Sequence, residues 1–215
     1  MSHALRQELI DTARAMNASG LNQGTSGNLS VRCDEGMLIT PTGMDYAGLT
    51  PDDIVWMDLE GGTKGPRKPS SEWRFHAAIY QHRPEAKSIL HAHPVSCTAL
   101  ACMGKGIPAF HYMVAVAGGK DIRCSDYATF GTAELSAHVL TALEGRKACL
   151  MGHHGLTCFD SDLPRALALA IEVEHLATVY SRILAMGEAD VLSDREMAVV
   201  LEKFSSYGVQ DKKNP

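Results

Sequence analysis

Ser88-Ile89-Leu90-His91-Ala92-His93, stopped by Pro94, is the stretch whose reading decides the fold. It reads as a strand, because a short run with apolar Ile and Leu meets a residue that cannot continue a ladder. Upstream, Ser70-Ser71 should open a helix, with a serine capping the free N–H groups, Glu72 in the first turn and a stop before Pro84. Downstream, residues 95–103 form a short helix that ends at Gly104. Lys147-Ala148-Cys149-Leu150-Met151 is another strand, running into Gly152-His153-His154-Gly155. Residues 163–186 carry apolar positions at Leu163, Leu167, Ile171, Val179 and Ile183, the spacing of a long helix halted by Gly187.

Toward the N-terminus, residues 4–16 have one apolar helical face, and residues 37–40 and 54–59 look like strands. Ser193-Asp194-Arg195-Glu196 is a capping-box start for a last helix. Strands and helices alternate through uneven connections, without the regularity of a nucleotide-binding fold. No internal repeat or linker interrupts them. The fold class is α/β: a single domain over residues 1–215, a sheet flanked by helices, with residues 205–215 expected to form a mobile tail.

The 215 residues are 45% hydrophobic and 21% charged, ordinary for a globular chain. A formal charge of −5 provides no basic field for a polyphosphate backbone, so nucleic-acid binding is excluded as a leading function. No apolar run reaches the ~20 residues of a membrane span. The first eight residues lack the pattern of an export signal, and the six cysteines contain no CxxC pair. The expectation is a cytoplasmic protein with reduced, mostly buried thiols.

Of the ten histidines, His91 and His93 stand apart. Two residues apart on a strand, they project from the same face about 7 Å apart at Cα, and both can turn onto one ion. A third imidazole from the end of the 147–151 strand would complete a set with an open position, as catalytic zinc requires. Here His153 and His154 compete; neighbours on extended chain point opposite ways, and Gly155 favours His154. Glu72 is the best candidate for proton transfer. Glu72 and His76 echo an HExxH zinc helix, but position 71 is Ser, so that motif is absent. The loop Asn22-Gln23-Gly24-Thr25-Ser26-Gly27-Asn28 resembles a phosphate cradle without the ending of a P-loop. With Thr42-Gly43 and Ser70-Ser71 it offers three clusters of small residues for one phosphate.

At these residues the chain resembles the class II aldolase/adducin family. The likeness is carried by 20–28, Leu38-Ile39-Thr40-Pro41-Thr42-Gly43, Pro69-Ser70-Ser71-Glu72-Trp73-Arg74-Phe75-His76, His91-Ala92-His93, Ile107-Pro108-Ala109-Phe110-His111-Tyr112-Met113, Tyr127-Ala128-Thr129-Phe130-Gly131-Thr132 and His153-His154-Gly155. The final 198–204 stretch continues it. The resemblance implies a central, mainly antiparallel sheet and one zinc ion per subunit. His91, His93 and His154 would hold the zinc, with Glu72 as a ligand in the empty site and an acid/base in turnover. It further implies phosphate binding by Asn28, Thr42, Gly43, Ser70 and Ser71, and an aldehyde pocket of Thr25, Phe130 and Tyr207. Tyr112 would serve the aldehyde end from a neighbouring subunit of a homotetramer whose sites lie between subunits.

The implied reaction is reversible cleavage of a deoxyketose 1-phosphate to dihydroxyacetone phosphate and a short aldehyde. L-fuculose 1-phosphate, giving L-lactaldehyde, is the reference substrate; 5-deoxyribulose or 5-methylthioribulose 1-phosphate is the alternative. A lysine Schiff base is the rival chemistry, and no lysine falls inside the quoted motifs from 20–28 to His153-His154-Gly155. Pentulose-phosphate 4-epimerases share the zinc triad but add an Asp that has no identified counterpart here. An adducin-like binding module would lack ligands that this chain retains.

Overall fold

In the computed structural model β5 (Ser88–Ala92) lies inside the sheet, and all five of its residues are buried. It pairs antiparallel with β1 (Asn28–Cys33) on one side and with β8 (Gly155–Asp160) on the other. Outward from β1 come β2 (Gly36–Ile39), β3 (Val55–Asp58) and β4 (Thr63–Lys64); outward from β8 come β7 (Ala148–Met151) and β6 (Cys124–Ser125). The eight-stranded sheet is antiparallel except at β6–β7, as the family resemblance implies. Residues 3–204 are described; the expected mobile tail 205–215 and Tyr207 lie outside the described residues. No described helix is long and apolar enough to cross a membrane.

Helices cover both faces, and side-chain alternation sorts the strand residues between them. Leu29, Val31, Leu90, Ala92, Leu156 and Cys158 share one core with α1 (His3–Ala18), α3 (Val95–Cys102) and α5 (Leu163–Met186). Ile39, Ile89, Cys149 and Phe159 share the other with α2 (Trp73–His82) and α4 (Ala133–Ala142). α5 has the bounds its apolar spacing predicts, and Asp162 caps it by accepting from the Arg165 N–H at 2.8 Å. The chain closes with α6 (Asp194–Phe204), where Ser193 Oγ accepts from the Glu196 N–H at 3.2 Å.

Three local expectations are corrected. Ser70-Ser71 does not cap α2. The Ser70 N–H bonds the Thr40 carbonyl at 3.0 Å and Pro69 bridges Pro41, so this segment stays extended along the chain leaving β2. The helix therefore starts at Trp73 with Glu72 in the cap position, where its side chain makes no cap bond. Residues 153–154 are not extended: His153 is left-handed at φ 53° and closes a turn between β7 and β8. Among the described residues no disulfide joins the cysteines, but only Cys97, Cys149 and Cys158 are fully buried, and Cys102 is exposed.

Candidate metal centre

Three elements deliver the histidines. His91 is the penultimate residue of β5 and faces α2; His93 lies one residue past the ladder; His154 leads into β8. Their ring centroids are 4.8 to 4.9 Å apart in every pair, each near edge-on to the others. One nitrogen of each lies within 4.8 Å of the others. His154 thus takes the third place, for a reason different from strand alternation. The left-handed His153 turns the chain so that His154 faces His91, while His153 stays exposed on the cleft rim.

Gly155 acts through close approach. A Cβ there would lie 2.5 Å from the Ala92 carbonyl oxygen and 2.8 Å from His93 Cδ2, so β8 could not sit where it does with any side chain at 155.

Glu72 spans the triad. Its Oε2 is 3.2 Å from His91 Nε2 and its Oε1 is 3.2 Å from His154 Nε2. Oε1 nonetheless has no hydrogen-bond partner, although it is buried. Burial alone would raise the Glu72 carboxyl; the His91 and His154 rings and the Asn28 amide outweigh that and hold it near 2. Burial, with His91 nearby, pushes His93 and His154 down to about 4, so both are neutral at pH 7.

The lone pairs then decide what fits. His91 Nδ1 donates to the Leu156 carbonyl at 2.8 Å, which turns the Nε2 of a neutral ring inward as an acceptor. That Nε2 stands 3.0 Å from His93 Nε2 and 3.2 Å from the Glu72 carboxylate. A proton on His91 would satisfy one of these contacts and leave Oε1 orphaned. A divalent cation satisfies three imidazoles and a carboxylate together, and this nitrogen-rich donor set suits it.

The triad opens into a cleft of about 440 Å³. Thr25, Ser26, Thr42, Gly43, Ser71, Tyr127, Ala128, Phe130 and His153 line it together with Glu72, His93 and His154. No Lys or Arg is among the described lining residues. α2 starts one residue beyond Glu72, which puts the positive end of its dipole at the cleft. Ser70 and Asn28 are buried behind the lining: Ser70 Oγ accepts from the Glu72 N–H at 3.3 Å, and Asn28 donates to Glu72 Oε2 at 2.9 Å. Tyr112 does not line this cleft; it is half-exposed in a 3-10 segment, Tyr112–Ala117, beside the His111 ring.

Sequence reasoning gave Tyr127 no role in the cleft and weighed His153 only as a rival to His154 for the third ligand place. Both are exposed there, their rings edge-to-face at 5.9 Å. Tyr127 lay within a quoted motif, but only the fold brings it into one cleft with Thr42 and Ser71.

Residues 7–181 match the family model described as "Class II Aldolase and Adducin N-terminal domain". Over 205 residues the chain is 57% identical to a 5-methylthioribulose-1-phosphate/5-deoxyribulose-1-phosphate aldolase of Rhodospirillum rubrum, covering 95% of this chain and 93% of that one. Over 207 residues it is 54% identical to an L-fuculose phosphate aldolase of Escherichia coli, covering 96% of each. A solved structure of an L-fuculose 1-phosphate aldolase superposes with a TM-score of 0.92 at 42% identity, covering 95% of this chain and 98% of that one.

Proposed function

The chain belongs to the class II aldolase and adducin family, and from that premise we propose a zinc-dependent aldolase that cleaves a deoxyketose 1-phosphate to dihydroxyacetone phosphate and a short aldehyde. The observation that carries this reading is the convergence of His91, His93 and His154 beside the anionic Glu72. A bound zinc would supply Lewis acidity, stabilising the negative charge that develops on the substrate oxygens when the C3–C4 bond breaks.

The chain's own residues do the rest. His91, His93 and His154 hold the cation, with Glu72 completing the set in the empty site. In condensation Glu72 removes the C3 proton, the role for which its depressed pKa keeps it anionic. Cleavage runs this step in reverse, the proton that Glu72 returns to C3 matching the one the C4 hydroxyl gives up as the C3–C4 bond breaks. Thr42, Gly43 and Ser71 receive the phosphate at the start of α2, with Ser70 and the second N–H of the Asn28 amide behind them. Thr25 and Phe130, which line the cleft, receive the aldehyde end. Tyr112, outside its own chain's cleft, serves the aldehyde oxygen of a neighbouring subunit in a cytoplasmic homotetramer with sites between subunits.

L-fuculose 1-phosphate is the first substrate on this reading. The 57% identity to the Rhodospirillum rubrum protein favours a second, 5-deoxyribulose or 5-methylthioribulose 1-phosphate. These sugars share the phosphate half and differ only at the aldehyde tail. Purified enzyme assayed on all three, with zinc and after chelation, tests the proposal. Aldehyde release that disappears on chelation and returns with zinc is expected; turnover unaffected by chelation would overturn it.

A further inference from the structure

His76 lies four residues past Glu72 on α2, fully buried and stacked on Phe75 at 4.5 Å. It touches none of the cleft, yet it belongs to a continuous polar chain. Its Nδ1 is 2.7 Å from Ser30 Oγ, and Ser30 Oγ is 2.9 Å from the Tyr80 hydroxyl. Its Nε2 is 2.6 Å from Asn28 Oδ1, and Asn28 Nδ2 donates to Glu72 Oε2 at 2.9 Å.

Two periodicities build this chain. Glu72, His76 and Tyr80 are spaced by four, a rise of about 6 Å per step on a helix. Asn28 and Ser30 are two apart on β1, a rise of about 6.5 Å. The steps nearly match, so each strand residue bridges two residues of the α2 segment.

The chain also has a single consistent sense. A Glu72 carboxylate only accepts, so Asn28 must turn its NH2 toward it and its carbonyl oxygen toward His76. That oxygen only accepts as well, so His76 Nε2 carries the proton. Burial, reinforced by His91, pushes His76 down to about 3 and keeps it neutral, leaving Nδ1 as a bare acceptor. Ser30 donates to Nδ1 and accepts from Tyr80. Turning the Asn28 amide over would set its oxygen against the carboxylate, at the cost of an unmatched buried group.

We infer that His76 is a positioning residue: in its Nε2–H form it fixes the sense of the Asn28 amide, which then holds the Glu72 carboxylate between His91 and His154. The inference rests on the reading of Glu72 as the proton-transfer group, but its primary test needs no substrate. Two-bond proton–nitrogen spectra of histidine-labelled, zinc-loaded enzyme identify the His76 signal as the one lost in His76→Gln. The expected pattern is a neutral ring protonated at Nε2. An Nδ1–H ring or an imidazolium overturns the inference, whatever reaction the enzyme catalyses. Where the variant does not fold, contacts with the Phe75 ring assign the signal in the unaltered protein.

Kinetics supply the second arm. Gln can donate to Asn28 and accept from Ser30, reproducing the sense of the chain, whereas Leu does neither. With zinc content unchanged in both, His76→Leu should lose roughly 10–100-fold in kcat with little change in KM, and His76→Gln should recover most of it. Equal losses in the two variants, or a loss confined to KM, would overturn the positioning role.

Discussion

On one face of the sheet α5 places Ala166, Ala170, Val173 and Ala177 in a common core with Leu90, Leu156 and Cys158. On the other, the segment opening α2 places Glu72, His76 and Tyr80 against Asn28 and Ser30 of β1. Both are a helix laid over buried strands, and the two differ in what the seam contributes. The α5 seam buries apolar surface, stabilising by roughly 25 cal/mol per Å² removed from water. The α2 seam exchanges hydrogen bonds with water for internal ones, each a net gain of only about 1 kcal/mol. Its yield is direction: every member has a fixed donor or acceptor role, and the last aims a carboxylate at the His91 and His154 imidazoles. The two seams therefore serve different ends, although the α2 face keeps an apolar core of its own.

The sharpest way to test that division is at the end of the polar seam. Glu72→Gln keeps the shape but cannot move a proton; turnover should fall roughly 10²–10⁴-fold while metal analysis still finds bound zinc. Unchanged turnover would detach the seam from catalysis. On the apolar seam, Leu176→Ala should cost ~2–5 kcal/mol in urea unfolding and leave kcat unaltered where the protein is folded. A comparable fall in kcat would mean that the two faces are not separate.

The last effect, on the pH dependence of stability, vanishes at neutral pH and appears only on acidification. His76 titrates near 3 in the folded chain, against the ordinary value of about 6.5 when unfolded. Above 6.5 the ring is neutral in both states and adds no slope. Between 6.5 and 3 the unfolded chain takes up the proton first, so stability falls as pH falls, by up to about 1.4 kcal/mol per unit. That component should be missing from the stability–pH curve of His76→Gln, and identical slopes in the two proteins would remove His76 from the account.

The two seams also differ in how legible they are. The α5 seam can be read from one segment at a time: an apolar repeat between Asp162 and Gly187 has the observed bounds. The triad is nearly as accessible, because His91 and His93 fall two apart on one strand and His154 follows another. The α2 seam joins residues 44 to 50 positions apart, and nothing in either segment's spacing reports that α2 lies over β1. His76 read alone is an unremarkable helical histidine. The start of α2 was misplaced for a similar reason, since the Pro41–Pro69 bridge is a tertiary contact that overrides a local capping signal. The β7–β8 turn escaped because a left-handed histidine is uncommon, so His153 carried no visible signal of a turn.

Gly155 gives the centre its bite. β5 and β8 approach so closely at this point that only hydrogen fits between the Gly155 backbone and the Ala92 oxygen. The opening between the rings of His93 and His154, which flank the ends of different strands, is therefore gauged by the absence of one methyl group. A lineage that acquired that methyl could keep every ligand and still spread the jaws, losing its grip on a small ion before losing its architecture.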